Sequence, residues 1–97
     1  MATTHFAFCA INPDLPDVPY AGGATFEVKT PTASSAATTL AATASQNICR
    51  VVTDTQVYVT FAAAPTASAA AGFMCPANSI SNFRVKSGDK AAVITAP

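Results

Sequence analysis

The sequence predicts an all-β fold, an antiparallel jelly-roll-like β-sandwich or barrel of about seven to eight short strands, and three observations carry that expectation. The second half breaks into short runs of alternating apolar and polar residues, Ile48–Thr53, Gln56–Phe61, Ile80–Lys86 and Lys90–Thr95, each bounded by turn residues. No helical apolar period lies between them. Only 10% of the residues are charged, and small Ala, Thr and Ser residues dominate the rest, a composition suited to a rigid module that touches other protein.

Taken in order, Thr3–Ala10 places Phe6 and Phe8 on one face, as expected of a half-buried strand or an extended arm. Pro13, Pro16 and Pro19 each remove a backbone donor, so Asn12–Pro19 is expected to run as an irregular extended loop instead of a sheet strand. Residues 1–24 therefore read as an N-terminal arm and proline-rich loop on a single domain spanning 1–97. Thr25–Lys29 alternates again, with Phe26 and Val28 as the inward-facing candidates. The Ala, Thr and Ser run of 32–45 has helix-favouring alanines but β-branched and hydroxyl residues that oppose a helix, and a strand over about Ala36–Ala42 is expected.

Asp54-Thr55 separates two strand runs by the length of a tight hairpin connection, so Ile48–Thr53 and Gln56–Phe61 are expected to pair, with Val57, Val59 and Phe61 facing the core. Ala62–Ala71 reads as a surface loop of small residues around Pro65. Gly72–Pro76 reads as a short edge strand ended by proline, Ile80–Lys86 as a strand, and Ser87-Gly88-Asp89 as the tight turn of a C-terminal hairpin into Lys90–Thr95.

A chain of 97 residues makes one domain and buries only roughly 60 to 65% of its unfolded surface, so association would add to its stability. Much of the 51% hydrophobic fraction is alanine, and the true core formers are few. Five basic and five acidic residues cancel, and the basic ones do not cluster, which argues against nucleic acid as a partner. The low charge density favours a protein that sits in an assembly. No 18-residue apolar stretch predicts a membrane span, and Met1–His5 lacks the basic and apolar runs of a secretion signal, so a cytosol-like compartment is expected.

The side chains that carry chemistry are scattered. His5 is the only histidine and reads as a surface residue, with no nucleophile beside it in the sequence. Cys9, Cys49 and Cys75 are odd in number and set among apolar or small neighbours, as buried free thiols are, and they lack the paired spacing of a zinc site. Asp14 and Asp17 read as turn-forming residues of the proline loop, Gly22-Gly23 belongs to no phosphate-binding pattern, and Arg84, Lys86 and Lys90 read as one solvated face of the C-terminal hairpin. No catalytic constellation, cofactor site or metal site is predicted, and the chain is expected not to be an enzyme.

Three segments, Arg50–Phe61, Ala64-Pro65-Thr66-Ala67 and Phe83–Ile94, carry a resemblance. Together they resemble small virion proteins of tailed bacteriophages. In those proteins a strand ending in an apolar residue leads to a small-residue Pro-Thr loop, and an aromatic, basic, valine, Gly-Asp-Lys sequence precedes the last strand. The similarity covers roughly half the chain. It implies a jelly-roll-like capsid decoration or cement protein, made in the host cytoplasm and placed on the capsid surface of the virion. Its partner would be the major capsid protein, and it would often act as a dimer or trimer. A receptor- or carbohydrate-binding module of a head or tail fibre is the alternative. In the N-terminal part, outside the resemblance, Phe6, Phe8 and Tyr20 are candidate interface anchors, with core packing the alternative for the two phenylalanines, and Pro13, Pro16 and Pro19 belong to the segment that would reach across coat subunits.

Overall fold

The computed structural model describes residues 2–12, 15–19, 22–68, 70 and 72–95, with the backbone alone at 12 and 15–19. The described residues form an all-β structure without helix. Its strands are β1 (Thr4–Cys9), β2 (Ile11–Asn12), β3 (Leu15–Pro19), β4 (Thr25–Lys29), β5 (Ala36–Ala37), β6 (Ile48–Thr53), β7 (Val57–Ala62), β8 (Phe73–Cys75), β9 (Ser79–Arg84) and β10 (Lys90–Thr95). Eight of them make two four-stranded antiparallel sheets, ordered β4-β1-β6-β9 and β5-β10-β7-β8, while β2 and β3 pair with each other.

Both sheets feed one apolar core. Phe6, Phe8, Cys49 and Val51 come from the first and Val57, Val59, Ala91 and Val93 from the second, all buried, with Phe61 and Phe83 packed at the margin. The alternation read from β7 holds: Val57 and Val59 are buried and Phe61 is partly so.

The first half departs from expectation at its start. Thr4–Cys9 is no arm: it is an inner strand, antiparallel to β4 on one side and β6 on the other. Phe6 and Phe8 lie in the core, so of their two readings the structure takes core packing over the interface anchor. Both edges of β1 are paired and its aromatic side faces the core, so these two rings offer no surface to a partner. The proline segment also differs, because Leu15–Pro19 pairs with Ile11–Asn12 through an irregular register. Pro16 and Pro19 lie in β3, and Pro13 and Tyr20 fall outside the described residues, as does Asp14.

Neither expected hairpin forms. β6 pairs with β1 and β9, whereas β7 pairs with β10 and β8, so Asp54 and Thr55 carry the chain from one sheet to the other. A two-residue hairpin of the primed types needs positive φ at its centre, and among the described non-glycine residues only Asn78, with φ of 59°, has it. The turn's polar groups bond to β1 instead. Asp54 N donates to Thr3 O at 3.2 Å, Asp54 Oδ1 accepts from Thr3 N at 2.8 Å, and the buried Thr4 and Thr53 hydroxyls lie 3.0 Å apart. Gly88, with φ of 90°, supplies the expected tight turn after β9, yet that turn also changes sheet and bonds to Ala42 through Gly88 N and Asp89 O.

The strand expected over Ala36–Ala42 is confined to Ala36–Ala37, which pairs with Ala92 and Val93 of β10. Beyond it, side chains replace the ladder. Thr38 Oγ1 accepts from Ala91 N and donates to Leu40 O, while the Glu27 carboxylate of β4 accepts from Thr39 N and Leu40 N at 2.9 to 3.0 Å. Glu27 also meets Lys29 Nζ at 3.2 Å. Its carboxylate thus ties the edge of one sheet to the segment continuing the edge of the other.

Two outcomes follow from this arrangement. Phe8→Ala is expected to lower unfolding free energy by about 3 to 5 kcal/mol in urea titrations, whereas Phe26→Ala, on the opposite face of β4, is expected to change it by about 0.5 kcal/mol or less. Desolvation alone would raise the Glu27 pKa, but the Leu40 and Thr39 N–H groups and Lys29 outweigh it and hold the carboxyl below its ordinary value. A lowered folded-state pKa stabilises the fold above the unfolded pKa, and that contribution fades as pH falls through the folded value. The stability gap between the native chain and Glu27→Gln is therefore expected at neutral pH and to shrink on acidification below the ordinary carboxylate range. A gap constant from neutrality to strong acid would remove this role.

Candidate functional site: an apolar sheet face and an aromatic groove

The register decides which side of each strand meets solvent. In β1, Thr4, Phe6 and Phe8 point to the core, so His5 and Ala7 point outward. Antiparallel pairing sets His5 beside Val28 and Val52, and Val52 beside Ile80. A single row, Val28–His5–Val52–Ile80, therefore crosses all four strands of the first sheet. The next row is Phe26–Ala7–Arg50–Asn82, in which Arg50 Nε donates to Asn82 Oδ1 at 3.0 Å.

Phe26 is 67% exposed, Ile80 62%, Val28 51% and Val52 38%. Phe26 and Val28 were the inward candidates of β4, and the structure turns them outward. Pairing fixes the reason: Glu27 lies opposite core-facing Phe6, so Thr25, Glu27 and Lys29 take the inner side. At an edge strand that side borders the core's rim, where Glu27 finds backbone donors that a phenylalanine would leave bare.

Besides the buried Cys9, the outer face carries His5, Arg50 and Arg84 as its titratable side chains among the described strand residues, and no carboxylate. It is an apolar surface with a cationic side. Sequence reading marked the basic residues near the C-terminus but not this face, because apolar alternation in β4, β6 and β9 looks the same whichever side is buried.

A second concave feature lies where β8 and β9 meet at the edges of the two sheets. Phe61, Phe73 and Phe83 form a tilted aromatic cluster, with Phe83 centred 5.1 Å from Phe61 and 5.2 Å from Phe73. An open groove of about 700 Å³ is lined by this trio together with Thr60, Ala62, Ala63, Arg84, Lys86 and Asp89. Asp89 is engaged within the fold, since its Oδ2 accepts from Lys86 N at 2.9 Å.

The arrangement offers contact surfaces more readily than reaction chemistry. Cys9, Cys49 and Cys75 are free and buried. Desolvation pushes the Cys49 thiol up to about 12 and raises those of Cys9 and Cys75, which suppresses the nucleophilic thiolate. Among the described residues no group of three or more His, Cys, Asp or Glu is placed to hold a metal ion. His5 is exposed on the sheet face. No helix is long and apolar enough to cross a membrane.

No family model matches the sequence, and comparison with curated proteins and with solved structures finds no match.

The thiols give a direct check of this chemistry. At mildly alkaline pH, a disulfide-exchange reagent is expected to label the native protein slowly and to label all three cysteines at once after denaturation. Rapid native labelling of Cys49 would show a thiol far more open than the fold allows.

Proposed function

We propose that the protein is a jelly-roll-like β-sandwich that decorates or cements a virus capsid by docking the outer face of its β4-β1-β6-β9 sheet on coat subunits. The observation that carries this reading is the exposed row Val28–Val52–Ile80 with Phe26 beside it, four large apolar side chains gathered on one sheet face. The finer fold is supported by the chain's habit of changing sheets: β4 and β5, β5 and β6, β6 and β7, β8 and β9, and β9 and β10 lie in opposite sheets. The resemblance of Arg50–Phe61 and Phe83–Ile94 to small phage virion proteins supplies the capsid setting.

The size of the face favours a repeated contact over a single tight one. Four strands about 4.8 Å apart and about six residues long make a surface of about 19 by 20 Å, or about 400 Å². A standard stable interface buries about 800 Å² on each partner. One copy would bind its coat subunit weakly. Copies arrayed on a symmetric shell, or joined as a dimer or trimer, add their contributions through avidity. The cations beside the apolar row favour a coat surface that is apolar with carboxylates at its margin.

Quantitative mass spectrometry of purified virus particles carrying the chain is expected to find it in a fixed, simple ratio to the major coat protein. The double variant Val52→Lys with Ile80→Lys is expected to leave the urea midpoint unchanged while abolishing attachment to particles. A few copies per particle would favour the receptor- or carbohydrate-binding fibre module, and absence from particles, or full attachment of the double variant, would overturn the docking reading.

A further inference from the structure

We infer that the free edge of β9 pairs with β9 of a second copy of this chain, antiparallel about a two-fold axis at Asn82, so that the sheet β4-β1-β6-β9 continues across two molecules. The pairing depends on the fold alone, and only its consequence for capsid attachment rests on the docking reading proposed above.

The edges of the two sheets are unequally guarded. β5 has two residues and β8 has three, ended by Pro76, while β4 turns Glu27 and Lys29 to its inner side, where a joined sheet would bury their charges. β9 carries none of these devices. Its six residues pair with β6 without a register shift, none is proline, and its inward side chains are Ser79, Ser81 and Phe83.

The direction of its backbone groups follows from two hydrogen bonds. Val85 N donates to Asn47 O at 3.1 Å, so the main-chain groups of Val85 face the β6 side, and by alternation those of Phe83, Ser81 and Ser79 do too. From the other side, Asp54 N donates to Thr3 O, which turns Val52, Arg50 and Ile48 toward β1 and leaves Thr53, Val51 and Cys49 to bond those same three residues. Ile80, Asn82 and Arg84 therefore aim their N–H and C=O groups away from the sheet. Among the described residues none pairs with that side. The chain bordering each stretch outside them is placed on other strands: Thr3 beside Asp54, Ile11–Asn12 with Leu15–Pro19, Gly22 ahead of β4, Ser68 and Gly72 beside Tyr58 and Val59, and Thr95 opposite Val57.

An edge that joins its own copy must be self-complementary. With Asn82 on the axis, Ile80 faces Arg84 of the second copy, Asn82 faces Asn82, and Arg84 faces Ile80, so that these pairs exchange two hydrogen bonds each. All three positions are exposed. On the outer face the aliphatic stem of each Arg84 lies along the opposing Ile80, and Asn82 Oδ1 accepts from Arg50 Nε, which leaves Asn82 Nδ2 to donate across the axis. The two Arg84 side chains stand four residues apart along the ladder, about 13 Å, beyond the screening length at physiological salt. Neighbouring registers fail. An axis at Ser81 or Ile80 brings Asn78, with φ of 59°, into the ladder, and an axis at Phe83 sets Ile80 past the end of the opposing strand.

The joined sheet also reaches a size that the single one does not. Two outer faces of about 400 Å² lie side by side, about 800 Å² together, which is the area one partner buries in a standard stable interface. Dimerisation thus supplies the bivalence that attachment through one weak face needs.

Sedimentation velocity and amide exchange on the full chain, from micromolar to near-millimolar concentration, test the pairing. The chain is expected to pass from monomer to dimer and no further, with exchange slowing on dimerisation at Ile80, Asn82 and Arg84 while Ser79, Ser81 and Phe83 are protected throughout. Asn82→Pro removes a donor that faces away from β6, so it is expected to keep the fold and to weaken the dimer at least about 10-fold, because both bonds at the axis are lost. Ile80→Lys sets like charges opposite each other and is expected to weaken the dimer about 5-fold, and Ile80→Lys with Arg84→Glu to restore it. Val52→Lys, on the docking face but one strand in from the edge, is expected to leave the dimer intact. Attachment of that variant to particles then reports on docking and not on pairing. A chain monomeric across this range, a dimer indifferent to Asn82→Pro or to the charge exchange, a dimer lost with Val52→Lys, or slowed exchange centred on Phe26 and Val28 would each overturn the inference.

Discussion

The crossing of the chain between sheets at Thr53–Gln56 is the constraint on which the remaining structure depends. Had β6 and β7 paired as a hairpin, Val51 and Val57 would have shared one sheet and left it to find a separate cover. The crossing instead sends β6 to the centre of one sheet and β7 to the centre of the other, so that their apolar faces supply one core. It is held by buried hydroxyls. Thr4 and Thr53 satisfy each other while Thr53 also donates to Thr55 O at 2.7 Å, so two polar side chains sit in the interior without an orphaned group. That latch requires β1 beside β6, which is why the N-terminal segment is an inner strand.

The existence of the strands was legible, and their pairing was not. Alternation over Ile48–Thr53, Gln56–Phe61 and Lys90–Thr95 reports a half-buried extended segment, a local property. Partnership is non-local: Thr53 reads as a strand end in either topology, and only contact with Thr3 and Thr4, about fifty positions away, separates the two. Phe26 and Val28 misled for a related reason. A period of two says that residues share a face but does not say which face is covered, and β4 takes its orientation from Phe6 across the ladder and from the carboxylate of Glu27. The 32–45 segment resisted reading because threonine hydroxyls and Glu27 satisfy backbone groups there in place of a strand partner.

The candidate surfaces were hidden by the same gap. Val28, Val52 and Ile80 lie far apart in the chain, and only register sets them in one row. The sequence directed attention to Phe6 and Phe8 as anchors because aromatic side chains near a terminus suit both a core and an interface. Two paired neighbours on β1 decide for the core. The aromatic residues that do reach the surface, Phe26 and Phe73, sit on edge strands, where a side chain has cover from one neighbour alone.

The groove and the small-residue segment between β7 and β8 are consequences of one choice. A tight connection after Ala62 would have returned the chain directly along β7. The connection instead runs through Pro65 and Ala67, where Ala67 is buried and its N–H donates to Ser35 Oγ at 2.8 Å. Small side chains permit that close path, and Gly72 permits the approach to Ser68 that ends it. The ten residues from Ala63 to Gly72 separate β7 from β8, and the short β8, Phe73–Cys75, lies beside Val57–Val59.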